Sequence, residues 1–288
     1  MDERSLLQQL SKILAQDVTS DDCAVIEHGG EYLVLTTDML HEKADFPAGM
    51  NEWQIGWMSA AVTISDIAAM GARPVALLIA AGLDRAERLI PIVTGARACC
   101  TKYGADIAGG DIDSHGELTL VTTGIGMVER ELCVRRRGSQ PGDAICVTGP
   151  LGLAEAALRG ETRYLPHLLE PQPRVDEGRA IAKAGATAMM DISDGLALSL
   201  HDMCQVNPVG YRVHSHAIPI PEGIPRSEAL EMALIGGGDF ELLFTIPEKN
   251  LPLLPIAYYR IGEVIEAHGV FLDEAPLSAR GYEHTWEN

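Results

Sequence analysis

The sequence predicts a mixed α+β protein in two halves, and three observations lead there. Strand-like and helix-like segments follow one another without the strict alternation of a doubly wound parallel sheet. A basic, turn-rich stretch, Arg135-Arg136-Arg137-Gly138-Ser139-Gln140-Pro141-Gly142-Asp143, separates two apolar blocks. The chain has 288 residues, 47% of them hydrophobic, which is enough to build a core in each half. The division falls between Arg137 and Gly138, giving an N-terminal domain of residues 1–137 and a C-terminal domain of residues 138–288.

Residues 3–16 place leucines and isoleucines at helical spacing and predict an amphipathic helix, followed by the acidic turn Ser20-Asp21-Asp22. Glu31 to Thr37 reads as a strand that ends at Asp38. Trp53 to Met70 repeats its apolar residues with the helical period and closes at Gly71, a helix-stop signal. Pro74 to Ala81 predicts a buried strand, Arg85 to Gly104 a second long helix, and Asp106–Ala108 and Leu118–Val128 two further strands. The second half opens with a strand, Ala144–Thr148, then the turn Gly149-Pro150-Leu151-Gly152 and a helix from Leu153 to Arg159. Pro166 to Pro173 is a proline-rich connection before a helix through Lys183. A short strand, Ala188–Met190, leads into Asp191-Ile192-Ser193-Asp194-Gly195 and a helix to about Gln205. Gly236-Gly237-Gly238-Asp239 then precedes a strand, Phe240–Ile246.

With 22 basic against 41 acidic residues the formal net charge is −19, which disfavours nucleic acid and anionic membrane surfaces as partners. The richest apolar stretch, Ile67 to Leu83, is cut by Arg73 and Pro74, so no membrane span is expected. The N-terminal MDERSLLQQL reads as charges and an amphipathic helix, not a leader, and a cytoplasmic address is expected. The six cysteines form no CxxC pair and no zinc spacing, so reduced thiols are expected.

The aspartates carry the chemical signal. Asp21, Asp22, Asp38, Asp66, Asp111, Asp191 and Asp194 gather where strands end or helices begin, beside small or hydroxyl residues such as Thr36-Thr37 and Gly109-Gly110. Each alone is explained as a helix cap or turn former. Asp66 is not, because it lies inside an apolar helix, where a buried carboxylate is expensive unless paired or bound to a cation. Converging carboxylates repel by roughly 4 kcal/mol per pair at 4 Å in an effective dielectric of 20, and a hard cation such as magnesium removes that repulsion. An oxygen-only cluster suggests phosphate chemistry. No GxxxxGK[ST] or VAIK-type signature occurs, and Gly124-Ile125-Gly126 lies within a strand pattern and carries little weight. The histidines show no metal-binding spacing, and Trp53 and Trp57, one helical turn apart, read as packing residues.

Taken together, Asp21-Asp22-Cys23-Ala24, Thr36-Thr37-Asp38-Met39-Leu40, Ser65-Asp66-Ile67-Ala68-Ala69-Met70-Gly71-Ala72, Gly109-Gly110-Asp111, Arg136 before Pro141-Gly142-Asp143, Val147-Thr148-Gly149, Asp191-Ile192-Ser193-Asp194-Gly195-Leu196 and Gly237-Gly238-Asp239-Phe240-Glu241-Leu242 resemble the thiamine-monophosphate kinases. That family belongs to a superfamily with aminoimidazole ribonucleotide synthetase and selenophosphate synthetase. The resemblance implies a two-domain fold with a cleft between the domains and N-terminal strands pairing across a homodimer. It implies transfer of the γ-phosphate of ATP to thiamine monophosphate, giving thiamine diphosphate. By position, Asp22, Thr36, Thr37, Asp38, Asp66, Asp111, Asp191 and Asp194 would hold several magnesium ions. Gly110, Asp111, Arg136, Ser193 and Tyr103 would meet ATP.

On the acceptor side the match is looser. Asp45-Phe46 stands where the family often has His-Phe, Gly238 where Glu is frequent, and Ser20 where Gly is usual, while Glu248–Ile261 is shorter. Asp45, Gly238 and the C-terminal Trp286 are the residues the resemblance assigns to the acceptor, with Asp45 facing its cationic ring and Trp286 stacking on it. Two other readings stay open, a ligase of the same superfamily and a non-catalytic metal-binding homologue. Residues 1–20 hold no cysteine, against the selenophosphate branch.

Overall fold

A computed structural model of the chain describes residues 3–10, 12–14 and 20–284. The first half runs α1 (Glu3–Leu10), β1 (Ala24–His28), β2 (Glu31–His41), α2 (Glu52–Ala69), β3 (Arg73–Leu83), α3 (Leu89–Lys102), β4 (Asp106–Ser114) and β5 (Thr119–Glu129). The second runs β6 (Asp143–Val147), α4 (Leu153–Leu158), α5 (Leu165–Leu169), α6 (Val175–Lys183), β7 (Ala188–Ile192), α7 (Leu196–Val206), β8 (Gly210–Val213), α8 (Arg226–Ile235), β9 (Glu241–Pro247), β10 (Tyr259–Ile265), β11 (Gly269–Leu272) and β12 (Ala275–Pro276). The strands form a five-stranded sheet, β1-β2-β5-β3-β4, and a seven-stranded sheet, β12-β11-β8-β10-β6-β9-β7. Among the described residues only β3–β4 and β8–β11 pair in parallel, so the mixed α+β class holds.

α2 is the hinge of the architecture. Its residues from Ile55 to Ser65 and from Ile67 to Ala69 are all buried, so it has no polar face and must be covered on every side. One side lies on the five-stranded sheet, where β5 turns Leu120, Thr122, Gly124, Gly126 and Val128 inward. The two glycines are there for space: a Cβ on Gly124 would stand 2.6 Å from the Thr63 methyl, and one on Gly126 2.5 Å from Ile67. This accounts for Gly124-Ile125-Gly126 without a ligand. α3 covers a second side through Gly56 and Gly95, whose added Cβ atoms would each meet a backbone carbonyl at 1.8 Å. α6 covers a third, with Gly178 against the Ala68 carbonyl. Asn51 caps α2 by accepting from Gln54 N, and the Gln54 side chain accepts from Asn51 N, a complete capping box.

Several boundaries differ from those read in the sequence. β2 does not end at Asp38 but continues to His41, because β5 supplies a partner along its whole length, Glu31↔Glu129 to His41↔Thr119. β4 runs past Ala108 to Ser114, so Gly109-Gly110-Asp111 lies in an edge strand and not in a loop. The first helix is described only from Glu3 to Leu10, the second long helix begins with a short 3-10 turn at Ala86–Arg88, and α5 occupies part of the proline-rich connection. β1, β8, α8 and β10 to β12 have no sequence-based forecast. Trp286 lies outside the described residues.

Candidate metal and nucleotide site

Three segments that are remote in sequence meet at the C-terminal half of α2. Carboxylate oxygens of Asp22, Asp66 and Asp191 all lie within 4.8 Å of one another. Asp22 arrives from the turn before β1, Asp66 from α2 and Asp191 from β7, so both sheets contribute. Polar residues inside α2 fix the geometry. Ser65 Oγ donates to Asp191 Oδ2 at 2.6 Å, and Thr63 Oγ1 donates to Asp38 Oδ2 at 2.7 Å. Thr36, two residues before Asp38 and on the same strand face, donates to Asp66 Oδ2 at 2.5 Å. These hydroxyls are the signal the sequence held: Thr63 and Ser65 are polar residues in the apolar stretch that leads to Asp66.

Arg136 is the cation paired with this group. Its Nη2 donates to Asp22 Oδ1 at 2.6 Å, while Asp21 accepts from Arg136 N at 2.9 Å and from Arg135 Nη1 at 2.8 Å. Two buried polar atoms are left without a partner here, Asp22 Oδ2 and Arg136 Nε. An unpaired acceptor beside an unpaired donor costs about 1–3 kcal/mol each unless something else satisfies them.

The electrostatics follow from burial. Asp66 is pushed well above the usual carboxylate range, first by burial and then by the charges of Asp38, Asp191 and Asp22, against which Thr36 works. Burial and Asp22 raise Asp191 to about 7, opposed by Ser65 and Arg136. Burial also raises Asp38, with Thr63 opposing, and Asp22, with Arg136 opposing. Burial and the same acids push the Cys23 thiol up, which leaves it protonated and packed in the core beneath them.

The remaining residues separate into two sets. Ser193 and Asp194 follow Asp191 at the end of β7, and the Ser193 carbonyl accepts from Gly238 N at 2.7 Å, so the Asp191–Gly195 and Gly236–Asp239 turns abut. Tyr282 N donates to the Asp194 carbonyl at 3.1 Å, and a Cβ on Gly237 would stand 3.4 Å from the Tyr282 Cβ. Tyr282 is therefore an aromatic residue whose backbone and Cβ lie against this turn, a position the sequence did not reveal. Gly110 lies in one row across the sheet with Asp38, Thr122 and Ile79.

Thr37 and Asp111, by contrast, are not brought to the cluster. Neighbouring strand residues face opposite ways, so Thr37 turns away from Asp38, and Asp111 shares the row of Met39, Val121 and Ala80 on the far face. There Asp111 lines an open groove with Asp113, His115 and Thr119. Tyr103 packs with Trp57 and Val175 and donates from its hydroxyl to Gln172 Oε1 at 3.2 Å, joining α3 to the segment before α6. Asp45 accepts from His41 N at 2.8 Å, which uses it as the fastener of the turn after β2.

Residues 20–128 match the family model for the AIR synthase related protein, N-terminal domain, and residues 140–273 match the one for its C-terminal domain. The thiamine-monophosphate kinase of Methanospirillum hungatei is 53% identical to the chain over 99% of this chain and 100% of its own length. This chain belongs to that family. The thiamine-monophosphate kinase of Halobacterium salinarum is 38% identical over 99% of this chain and 100% of its own. A solved structure, AaThiL complexed with AMPPCP and TMP, has a TM-score of 0.90 at 30% identity and covers 99% of this chain and 97% of that one. As a member of the thiamine-monophosphate kinase family the chain is an enzyme built from two AIR-synthase-type domains.

Proposed function

We propose that the chain transfers the γ-phosphoryl group of ATP to the phosphate of thiamine monophosphate, with release of thiamine diphosphate and ADP, and that it needs magnesium. The observation that carries this reading is the convergence of Asp22, Asp66 and Asp191 around a buried, unpaired carboxylate oxygen. The donor set is all oxygen, which fits magnesium and not a soft metal. Asp22, Asp38, Asp66 and Asp191 would hold it, with Thr36 and Asp194 beside them. When bound, magnesium neutralises phosphate oxygens and the charge that develops in transfer.

The chain's own groups divide the remaining work. Arg136, with its Nε directed to no protein acceptor, donates to a nucleotide phosphate oxygen. Ser193 and the Gly110 strand edge frame the nucleotide. The Gly237–Gly238 turn, with Tyr282 beside it, receives the acceptor. The acceptor phosphate is already ionised, so no residue needs to act as a strong base, and positioning carries the reaction. Without a cation the acids repel both anionic substrates, so nucleotide binding depends on magnesium.

We further propose a homodimer and a cytoplasmic enzyme whose two halves divide between Arg137 and Gly138. The dimer reading is supported by the uncovered face of the five-stranded sheet, where Ile26, Met39 and Leu78 are exposed, and the mass in solution, read by light scattering, should equal two chains. The cellular address is supported by six free thiols, and cell fractionation checks it.

The test is direct. The purified chain with ATP, magnesium and thiamine monophosphate should yield thiamine diphosphate. Magnesium-dependent binding of β,γ-methylene ATP without product overturns the acceptor assignment, and absence of that binding overturns the whole reading.

A further inference from the structure

Arg136 stands on a strap, Arg135 to Gly142, that has no regular structure of its own, yet its backbone is pinned at nearly every point. The Arg135 carbonyl accepts from Met189 N at 2.9 Å on β7. Gly138, at φ 141, would place a Cβ 2.1 Å from the Thr187 carbonyl, so no other residue fits there. Ser139 Oγ accepts from the Tyr211 hydroxyl at 2.8 Å and lies 3.0 Å from Thr245 Oγ1.

One side chain makes most of the remaining contacts. Asn207, 3% exposed at the C-terminal end of α7, accepts through Oδ1 from Gly138 N at 2.8 Å and Ser139 N at 3.1 Å. Its Nδ2 donates to the Arg136 carbonyl at 2.8 Å and to the Met203 carbonyl, in the last turn of α7, also at 2.8 Å. All four hydrogen-bonding directions of the amide are therefore used. The other end of α7 begins just after Ser193 and Asp194. A single buried amide thus ties the backbone of the arginine to the helix whose start carries the Asp191–Gly195 turn.

From this geometry we infer that Asn207 is a positioning residue for nucleotide binding: it fixes the strap so that the Arg136 guanidinium reaches Asp22 and presents Nε to a phosphate. The inference rests on the nucleotide reading above and adds to it a residue that touches no substrate. Such supporting contacts matter because a guanidinium must be held in place before the ligand arrives.

The test compares Asn207→Asp, Asn207→Ala and a control, Leu200→Ala, in the buried core of α7. Asn207→Asp keeps an acceptor for Gly138 and Ser139 but loses both donors. Calorimetric titration with β,γ-methylene ATP and magnesium chloride, at a temperature where circular dichroism shows all variants folded, gives the readout. The expected result is a Kd raised by about tenfold or more in both Asn207 variants. Leu200→Ala should lower Tm yet bind as the unaltered chain does, which separates positioning from stability. Binding by the Asn207 variants within about twofold of the unaltered chain overturns the inference alone. Failure of the unaltered chain to bind the analogue overturns the nucleotide reading and the inference with it.

Discussion

Asp66 sits where an uncompensated carboxylate is least tolerable, inside a buried helix with Asp22 and Asp191 within 4.8 Å. Such a residue is poorly explained by stability, since neutralising it relieves repulsion of a few kcal/mol per neighbour in an effective dielectric near 20. Asp66→Asn should therefore raise Tm in EDTA, the more so the higher the pH, abolish the magnesium-induced rise in Tm, and lower kcat/KM by about a hundredfold or more. Calorimetry and a turnover assay check all three, and a magnesium shift that survives would remove Asp66 from the metal set. At this scale the sequence was readable in part. A carboxylate in an apolar helix announces itself, and the acidic segments around Asp22, Asp38 and Asp191 stood out beside it, although Asp38 lies within β2 and Asp191 within β7, not in turns. That Thr37 and Asp111 lie on the sheet face opposite Asp38 was not legible, because adjacency in sequence says nothing about strand face until the register is known. Asn207 and Tyr282 gave no signal, since their meaning comes from backbone groups remote in the chain.

Among the elements, α2 was legible from its period and its glycine stop, whereas the reason for its glycines was not. Gly95 on α3 approaches the Trp53 carbonyl so closely that an added Cβ would stand 1.8 Å from it. Backbone cannot yield as a flexible side chain does, so Gly95→Ala must push α3 off α2, at a cost of about 3 kcal/mol or more. A fall in Tm of about 6 °C or more is expected, with the magnesium shift retained in whatever protein stays folded. An unchanged Tm would mean that the helices are not so closely apposed. Similar reasoning applies to α4, whose first amides, Gly152 N, Leu153 N and Ala154 N, are all accepted by Asp239. The sequence showed Asp239 only as the end of a glycine turn. Short elements such as β8 and β11, four residues each, were missed because a pattern of period two needs more repeats to stand out from a loop.

For the whole molecule, the acids proposed to bind the cation are also a liability of the unliganded fold, and pH should expose it. Burial raises Asp22, Asp38 and Asp66 above the ordinary carboxylate value, and Asp191 to about 7. In the unfolded chain each titrates near its ordinary value, 3.8 for Asp191. The folded state thus holds more protons than the unfolded state through this interval, and stability falls as pH rises across it. The contribution is complete below the unfolded value and is lost as pH passes the folded value near 7. In EDTA, at a salt concentration of about 0.15 M that screens the surface share of the −19 net charge, Tm should decline from pH 5.5 to pH 8. Magnesium competes with those protons, so its stabilising shift should widen over the same interval. Asp191→Asn should make the decline shallower by removing a group that burial has pushed to about 7, while Asp239, pushed to about 7 as well, keeps part of it. Scanning calorimetry at the two pH values, with and without magnesium chloride, decides the matter. A magnesium shift equal at both would show that the acids are already ionised and that protons and cation do not compete for one cluster.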